Sequence, residues 1–419
     1  MHLIIENIKD VKNIMNTKLS SNKREFEKSK RIYVSVISLY ELADKLFGAI
    51  YIAFMRAQGI PIDQVSSLFS IQQILQAFFD YPTGTLSDKI GRKKITGCGL
   101  IVWGSGILVY AFAENFCTFL PSMVLMAFGM ALISGAPSAW LIDQMIKYDV
   151  YGERNRILPK IQSSISFFAV MASIISYFLI GIEQKIPIIV AGCISIISGC
   201  IALFCGEENY GKIKGENILY ILHTQAKEFF RQKKLLLLAL RIIVCHIPFL
   251  AFVLFWQVYA TEIVKIKIEY LSFFLLFFMI LLMFGTYMVS ICTKKMSSFK
   301  TSIMGILVSI LGFMILYAFQ TVPTFLIGAG LVELGLGIEQ AATSIWMCDY
   351  IKSEVRSTYS SIFSTIQAIG GFVIANLLGI LTEKFGVNVS WVIASIVMGL
   401  DIIILIVFNS KYRYGKEVS

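Results

Sequence analysis

Residues 80–94 read DYPTGTLSDKIGRKK, a polar segment with four basic side chains between two strongly apolar stretches. Gly84 and Gly91 permit a tight connection and a close approach of helices. Asp88 is an anion that can lie at the N-terminus of a neighbouring helix, where unpaired amide groups favour it. Arg92 can donate two parallel hydrogen bonds to a carboxylate at the end of another helix. These residues predict a turn between two helices that is tied to its neighbours through charge.

The composition of the whole chain is typical of a membrane protein. Of the 419 residues, 57% are hydrophobic and 15% are charged, whereas soluble domains carry about 25% charged residues. The apolar excess lies in runs of about 20 residues, the length of a helix that crosses a bilayer. These runs are continuously apolar, whereas the strands of a membrane β-barrel alternate apolar and polar residues. Helices remain, because a helix makes all its backbone hydrogen bonds within its own segment in lipid. Soluble enzyme folds are therefore excluded.

The apolar runs predict an all-α membrane protein with twelve transmembrane helices in two six-helix bundles. The predicted spans are 32–55, 63–84, 95–113, 117–142, 157–182, 186–206, 235–261, 268–292, 299–319, 323–348, 357–382 and 388–408. They divide into an N-terminal bundle at 32–206 and a C-terminal bundle at 235–408. An amphipathic tail at 1–31, a central loop at 207–234 and a tail at 409–419 are expected in the cytoplasm.

The distribution of Lys and Arg predicts the orientation. The connections on the side that carries both termini hold 30 of these residues, and those on the opposite side hold five. We call the first of these the basic side. Because basic loops concentrate in the cytoplasm, both termini are predicted to be cytoplasmic. Basic loops that face anionic lipid account for the net charge of +10 without a nucleic-acid partner.

The residue types that hold metals, cofactors or nucleotides do not form groups. The eight cysteines and three histidines are scattered and no CxxC pair occurs, which disfavours metal sites and disulfides. No GxxxxGK[ST] segment is present, so ATP is not expected to drive the protein. No metal, cofactor or enzymatic activity is therefore predicted.

A weak internal repeat relates the two halves. Residues 84–94, GTLSDKIGRKK, align without a gap on 285–295, GTYMVSICTKK. The tetrapeptide WLID at 140–143 recurs as WMCD at 346–349, each at the basic-side end of the fourth span of its half. With this layout, residues 84–93 resemble the Gly-x-x-x-Asp-x-x-Gly-Arg-Lys loop motif of the major facilitator superfamily of transporters.

The resemblance implies two bundles around a central cavity that opens to alternate sides of the membrane. It implies that Asp88 faces the start of span eleven, near Ser357, and that Arg92 bonds Asp143. The residues expected to gate the cytoplasmic side are Asp80, Gly84, Asp88, Gly91, Arg92, Lys93 and Asp143. The alternative is that the segment only anchors the chain through its positive charge. Span five lacks the Gly-Pro-rich motif of many proton-driven drug exporters in this superfamily.

Charged and polar side chains inside the spans are the candidate binding groups, because an ionised group at mid-bilayer costs at least about 2.5 kcal/mol. Substrate or proton binding is predicted for Glu41, Asp44, Lys45, Arg241, His246, Trp256, Gln257, Glu333 and Glu339. Spacing on the helix suggests that Glu41 pairs with Lys45 and leaves Asp44 over. The alternatives are structural ion pairs such as Arg241 with Glu339, a structural role for His246, and an interfacial role for Trp256. The resemblance implies that span twelve, with Asp401, packs outside the cavity.

The predicted function is secondary active transport of a small solute by alternating access. Proton-coupled export of a hydrophobic or cationic compound fits the surplus of carboxylates in the spans. Proton symport of a polar nutrient and a non-transporting receptor on the same fold are the alternatives. The expected partners are the substrate, protons and membrane lipids, and the protein is expected to be a monomer in the cell membrane.

Overall fold

The computed structural model describes residues 2–206, 227–348, 350–351 and 356–412. Within these ranges the side chains described exclude those at 2–21, 81–82, 84–85, 88–89, 155, 348, 356–358 and 360–361. Helices make up nearly all of the described chain, which contains no strand. The prediction of an all-α fold is confirmed.

Fourteen helices build the described spans. They are α1 His2–Gly48, α2 Tyr51–Ala57, α3 Ile62–Ile90, α4 Arg92–Ala111, α5 Phe116–Ile133, α6 Ala136–Lys147, α7 Arg154–Ile182, α8 Lys185–Cys205, α9 Lys233–Val258, α10 Leu271–Cys292, α11 Ser298–Ala318, α12 Val322–Cys348, α13 Arg356–Phe385 and α14 Asn388–Lys411. Together α1 and α2 form span one, and α5 and α6 form span four. Each of the other helices forms one span.

Ten stretches of the described chain are long and apolar enough to cross a membrane, and they correspond to spans three to twelve. The first two spans are more polar. Three charged residues lie between positions 41 and 45 of α1, and three glutamines lie between positions 72 and 76 of α3. Polar side chains inside a span normally face a cavity or the interior of a bundle, and Glu41 and Gln76 line a cavity.

The two halves pack their helices in the same order. In the N-terminal half, α1 packs on α7 and α8, α3 on α5, and α4 on α5 and α8. In the C-terminal half, α9 packs on α13 and α14, α10 on α12, and α11 on α12 and α14. These are the same pairs displaced by six spans. The arrangement agrees with the internal repeat inferred from the sequence.

The halves meet through α3 against α13, α7 against α10, and α2 against α9. The first pair joins spans two and eleven, and the second joins spans five and eight. A shift of six spans converts one pair into the other. The interface therefore follows the same twofold relation as the bundles. Close approach depends on small residues, as between α3 and α13, where a Cβ on Gly379 would lie 2.5 Å from the Cβ of Ser66.

Breaks in the helices fall where the sequence permits them. Gly91 joins α3 to α4 with φ of 114°, a conformation that favours glycine, and this agrees with the predicted tight connection. Span one is interrupted at residues 49–50 and span four at residues 134–135. The predicted amphipathic tail at 1–31 is helical from His2 and continues without a break into span one. The predicted central loop, 207–234, lies largely outside the described residues.

Candidate functional site

Each half encloses a cavity among its own helices. The N-terminal cavity has a volume of about 300 Å³ and is lined by Tyr33, Ile37, Tyr40, Glu41, Gln76, Met130, Ile133, Ser134, Pro137, Ser138, Gln162 and Ile165. The C-terminal cavity has a volume of about 440 Å³ and is lined by Arg241, Ile242, Cys245, His246, Phe249, Leu336, Glu339, Gln340, Thr343, Ser344, Met347 and Gln367. The main lining helices belong to spans one and four in one half and to spans seven and ten in the other. The resemblance implies one central cavity between the bundles, whereas each of these cavities is lined by residues of a single half.

One stripe of α1 supplies the acidic group of the N-terminal cavity. Ile37 follows Tyr33 by four residues, and Tyr40 and Glu41 follow Ile37 by three and four, which places them on one broad helix face. Asp44 continues this stripe by three residues towards the middle of the span. The polar residues of α1 therefore face the cavity side of the bundle and not the lipid.

The ion pairs of this stripe differ from the predicted ones. Lys45 Nζ lies 2.5 Å from Asp44 Oδ2 and 3.8 Å from Glu41 Oε2. The predicted pair of Glu41 with Lys45 is present as the longer contact, but the expectation that Asp44 is left over is wrong, because the ammonium group lies closer to this adjacent carboxylate. Glu41 is consequently the carboxylate with the weaker cation contact, and it lines the cavity.

A buried charge cluster lies beside the C-terminal cavity. Arg241 Nη2 is 2.7 Å from Glu339 Oε1, and its Nε is 3.1 Å from Asp401 Oδ1. Thr343 donates a hydrogen bond of 2.6 Å to the same glutamate oxygen. A second contact of 3.3 Å joins Arg241 Nη2 to Ser302 Oγ. We call Arg241, Glu339 and Asp401 the C-terminal triad; it connects spans seven, ten and twelve.

The C-terminal triad bears on two expectations. Asp401 does not line the C-terminal cavity, which agrees with span twelve packing outside it, and it reaches the buried side of Arg241 from there. The sequence offers one signal for this contact: Asp401 lies at mid-depth of a span, where a carboxylate needs a cation beside it. The three side chains are almost fully enclosed. This favours the structural ion-pair alternative for Arg241 and Glu339 over direct binding of substrate.

His246 also has partners within the protein. Its Nδ1 lies 2.9 Å from Gln367 Nε2, and its ring stacks on Phe249. A Cβ on Gly371 would lie 3.2 Å from His246 Nε2, so the other side of the ring is closely packed. These contacts favour the structural role for this histidine, although it lines the C-terminal cavity.

Glu333 lies on the stripe of α12 that faces the C-terminal cavity. It precedes Leu336 by three residues and Gln340 by seven, and both of those residues line the cavity. Its side chain is half-buried. In the described part of the chain, no cation lies within 4.0 Å of its carboxylate. Glu333 is therefore a cavity-side carboxylate whose charge no neighbouring group offsets.

Trp256 and Gln257 line neither cavity, so their predicted contact with substrate is not supported. Trp256 is buried and packs edge-on against Phe278, with ring centroids 5.3 Å apart. The Gln257 side chain reaches the break in span one. Its oxygen accepts hydrogen bonds from the amides of Ile52 and Ala53 at 3.1 and 2.9 Å, and its nitrogen donates to the Gly48 carbonyl at 2.9 Å.

Gln257 belongs to a set of bonds that join the halves on the side opposite the basic side. Arg56 bonds both oxygens of Glu262, at 2.7 and 3.0 Å. The Ile62 amide donates to Glu383 at 2.7 Å. We call these contacts, together with those of Gln257, the clasp. The clasp was not predicted, because its partners are more than 200 residues apart and have no local signature.

The loop motif confirms one predicted contact. Arg92 Nη1 lies 2.5 Å from Asp143 Oδ2 and donates to the Ala139 carbonyl at 3.1 Å. Both partners belong to the N-terminal half, so this pair alone does not join the halves. The Lys93 side chain packs against Gly206: a Cβ added to this glycine would lie 3.0 Å from Lys93 Cδ.

Other parts of the motif are less fully described. Asp80 is half-buried on α3, and its carbonyl accepts a hydrogen bond of 3.2 Å from Thr83. The side chains of Asp88 and Ser357 and the surroundings of Gly84 lie outside those described, so the contact between Asp88 and span eleven stays a prediction.

A family model described as Major Facilitator Superfamily matches residues 34–374. The chain belongs to this superfamily. It is therefore a multi-pass membrane protein of a transporter family, and the family is not one of enzymes.

Several curated proteins are similar to the chain. It is 26% identical over 193 residues to the probable vesicular acetylcholine transporter-B of Danio rerio, which covers 43% of this chain and 38% of that protein. It is 21% identical to multidrug resistance protein 2 of Bacillus subtilis, covering 51% and 52% of the two chains. The uncharacterized MFS-type transporter YxaM of Bacillus subtilis is 19% identical, covering 89% and 94%. The first two similarities therefore span about half or less of the relatives' lengths.

Solved structures show the same fold. The nucleoside transporter NupG superposes with a TM-score of 0.75 at 13% identity, covering 91% of this chain and 99% of that chain. A bacterial homolog to the human lysosomal transporter Spinster, in an inward-facing and occupied conformation, gives 0.72 at 12% identity, covering 91% and 96%. At these identities the similarity concerns the fold alone, and it agrees with twelve helices in two bundles.

Proposed function

We propose that the protein is a secondary active transporter that exports a cationic or hydrophobic compound in exchange for protons. The observation that carries the proposal is the charge inside the described spans. Away from the ends of the spans, five carboxylates, at positions 41, 44, 333, 339 and 401, accompany two cations, at positions 45 and 241. Glu41 and Glu333 lie on cavity faces and are the carboxylates least compensated by a cation.

Carboxylates in this setting can take up a proton or a cationic substrate. An ionised carboxylate that is partly removed from water is stabilised by a counter-charge, and Glu41 and Glu333 have little positive charge beside them in the protein. A proton or an organic cation would supply it. Competition of the two cations for the same carboxylates would couple export of one to import of the other.

Aromatic side chains in both cavities support a cationic or apolar substrate. Tyr33 and Tyr40 line the N-terminal cavity and Phe249 lines the C-terminal one. Aromatic faces attract organic cations within about 6 Å. The relatives named for acetylcholine and for multidrug resistance point in the same direction.

Alternating access is supported by the arrangement of the halves. The clasp joins them on the side opposite the basic side, while the C-terminal triad and the Arg92–Asp143 pair stabilise each half internally. Two internally stabilised bundles with a breakable contact at one end can rock as rigid bodies. The breakable contacts would be Arg56–Glu262 and the bonds of Gln257.

Uptake of a polar nutrient by proton symport is the second candidate. Four glutamines line the cavities, Gln76 and Gln162 in the N-terminal one and Gln340 and Gln367 in the C-terminal one. Amide side chains offer both donors and acceptors, which suits a neutral polar solute better than an apolar one.

Flux measurements in proteoliposomes would separate the two candidates. The purified protein is reconstituted in a known orientation, a pH gradient is imposed in either direction, and a panel of labelled organic cations and neutral polar solutes is tested. Export predicts that cations move against the proton flow, and symport predicts that polar solutes move with it. If the folded protein shows no pH-dependent flux of any compound in the panel, both candidate functions are contradicted.

A further inference from the structure

A third and larger cavity, of about 710 Å³, lies away from the two transport cavities. It is located on the basic side, between the start of α7 and the part of α1 that precedes span one. Its lining includes five cations: Lys23, Lys30, Arg31, Arg156 and Lys160. We call this cavity the basic pocket.

The basic pocket has a surplus of positive charge. Two carboxylates also line it, and each bonds one lysine. Glu153 lies 3.0 Å from Lys23, and Glu27 lies 2.5 Å from Lys30. The other three cations have no carboxylate within 4.0 Å in the part of the chain that the structure describes. With five cations and two carboxylates, the pocket lining therefore carries a net charge of +3.

The pocket is apolar on its inner wall and continues into an apolar stripe on α7. Phe26 and Ile161 are buried in its wall. Phe167 and Ile174 follow Lys160 at seven-residue intervals, a spacing that keeps them on the same helix face. Phe167 is 59% exposed and Ile174 is 37% exposed. A charged pocket at the membrane boundary thus meets an exposed apolar track that runs along a membrane-spanning helix.

We propose that the basic pocket binds the phosphate headgroup of an anionic phospholipid from the basic-side leaflet. Guanidinium and ammonium groups bind phosphate oxygens through charge-assisted hydrogen bonds, and basic pockets at membrane depth suit anionic headgroups. The acyl chains would lie along Phe167 and Ile174. A soluble phosphate shares the headgroup chemistry, but it leaves the apolar stripe unused.

Bound lipid would also connect two elements of the N-terminal half. Arg31 belongs to α1, and Arg156 and Lys160 belong to α7. A phosphate held by all three would neutralise their mutual repulsion and fasten the start of span one to span five. Lipid binding is therefore expected to raise the melting temperature of the protein.

The test compares lipid binding by the full-length protein and three variants in neutral detergent. Native mass spectrometry measures binding of phosphatidylglycerol, phosphatidylcholine and glycerol phosphate. Wild type should prefer phosphatidylglycerol to the other two. The variant Arg31→Gln/Arg156→Gln/Lys160→Gln should bind phosphatidylglycerol about 100-fold more weakly, given the contribution of each charge near an anionic headgroup. Glu153→Gln adds one net positive charge to the pocket and should strengthen binding.

The matched control is Lys294→Gln/Lys295→Gln/Lys300→Gln, which removes the same charge from exposed positions on the basic side of the other half. It should bind phosphatidylglycerol like wild type. Equal weakening in both triple variants would overturn the proposal, because the effect would then come from net charge. Equal binding of glycerol phosphate and phosphatidylglycerol would overturn the assignment to lipid. If the pocket variant does not fold, unchanged binding in Glu153→Gln would count against the site.

Discussion

The two halves share one set of helix contacts but use their charged residues differently. In the N-terminal half, Glu41, Asp44 and Lys45 lie on the cavity side of α1, with 20–33% of each side chain exposed. In the C-terminal half, the triad lies between three spans, and its side chains are 2–8% exposed. The repeated fold thus carries one charge group that solvent or a ligand can reach and one that is closed off by packing. We infer that the first group changes its charge state during transport and that the second stabilises its bundle.

The largest expected effect is the loss of the buried cation. Arg241→Met leaves Glu339 and Asp401 enclosed without a counter-charge, which is expected to cost about 3–5 kcal/mol of stability. The measurement is the yield and melting temperature of the purified protein. The triple variant Arg241→Met/Glu339→Gln/Asp401→Asn removes all three charges and should recover most of the loss. A melting temperature of Arg241→Met equal to that of wild type would contradict a structural role for the triad.

The equivalent change in the N-terminal half should be milder. Lys45→Met leaves Glu41 and Asp44 on a cavity face, where water can solvate them. The expected loss is therefore about 1 kcal/mol or less, as for partly exposed ion pairs. Melting temperatures measured side by side with Arg241→Met test the contrast. Equal destabilisation by the two variants would remove the distinction between the halves.

The clasp tests whether contacts between the halves are weaker than those within them. Gln257→Leu leaves the amides of Ile52 and Ala53 and the Gly48 carbonyl without this partner, at about 1–3 kcal/mol for each buried group that stays unpaired. We expect the clasped side to open more often while the bundles stay folded.

Labelling measures that opening. In a background without native cysteines, Ser67→Cys on the interface should react faster with a membrane-impermeant maleimide when Gln257→Leu is present. The matched control is Gln320→Leu, since Gln320 is an exposed glutamine on the same side. If Ser67→Cys is labelled at the same rate with and without Gln257→Leu, Gln257 does not hold the halves together.

The smallest expected effect concerns the ion pair between Lys23 and Glu153. The hydrogen bond and charge of Lys23 lower the pKa of Glu153. The stability from this pair is therefore complete above the ordinary glutamate pKa and is lost as the pH falls through the lowered value. Glu153→Gln should lower the melting temperature slightly at neutral pH and not at strongly acidic pH. If the melting temperatures of wild type and Glu153→Gln differ more at acidic than at neutral pH, the predicted direction of the pH dependence is wrong.

The sequence predicted the helices and one contact of the site. Apolar runs of the right length fixed the spans, and the loop motif placed Arg92 beside Asp143. The sequence did not show that Lys45 lies closer to Asp44 than to Glu41, because both carboxylates are within reach along one helix and packing decides which rotamer forms. The bond between Arg241 and Asp401 depends on which helices adjoin and how each is rotated. Gln257 binds the backbone at a helix break about 200 residues away, and hydropathy carries no information about such a contact.

The central claim is that cavity-side carboxylates couple transport to protons. The most direct test uses Glu41→Gln and Glu333→Gln, which keep size and hydrogen bonding but remove titration. Accumulation driven by a pH gradient and substrate exchange without a gradient are measured in proteoliposomes at about pH 6 and about pH 8, with the compound found in the flux panel. Glu114→Gln, at an exposed carboxylate outside both cavities, is the control. We predict that both cavity variants lose accumulation and retain exchange, while the control matches wild type. Undiminished accumulation in both cavity variants would contradict the claim.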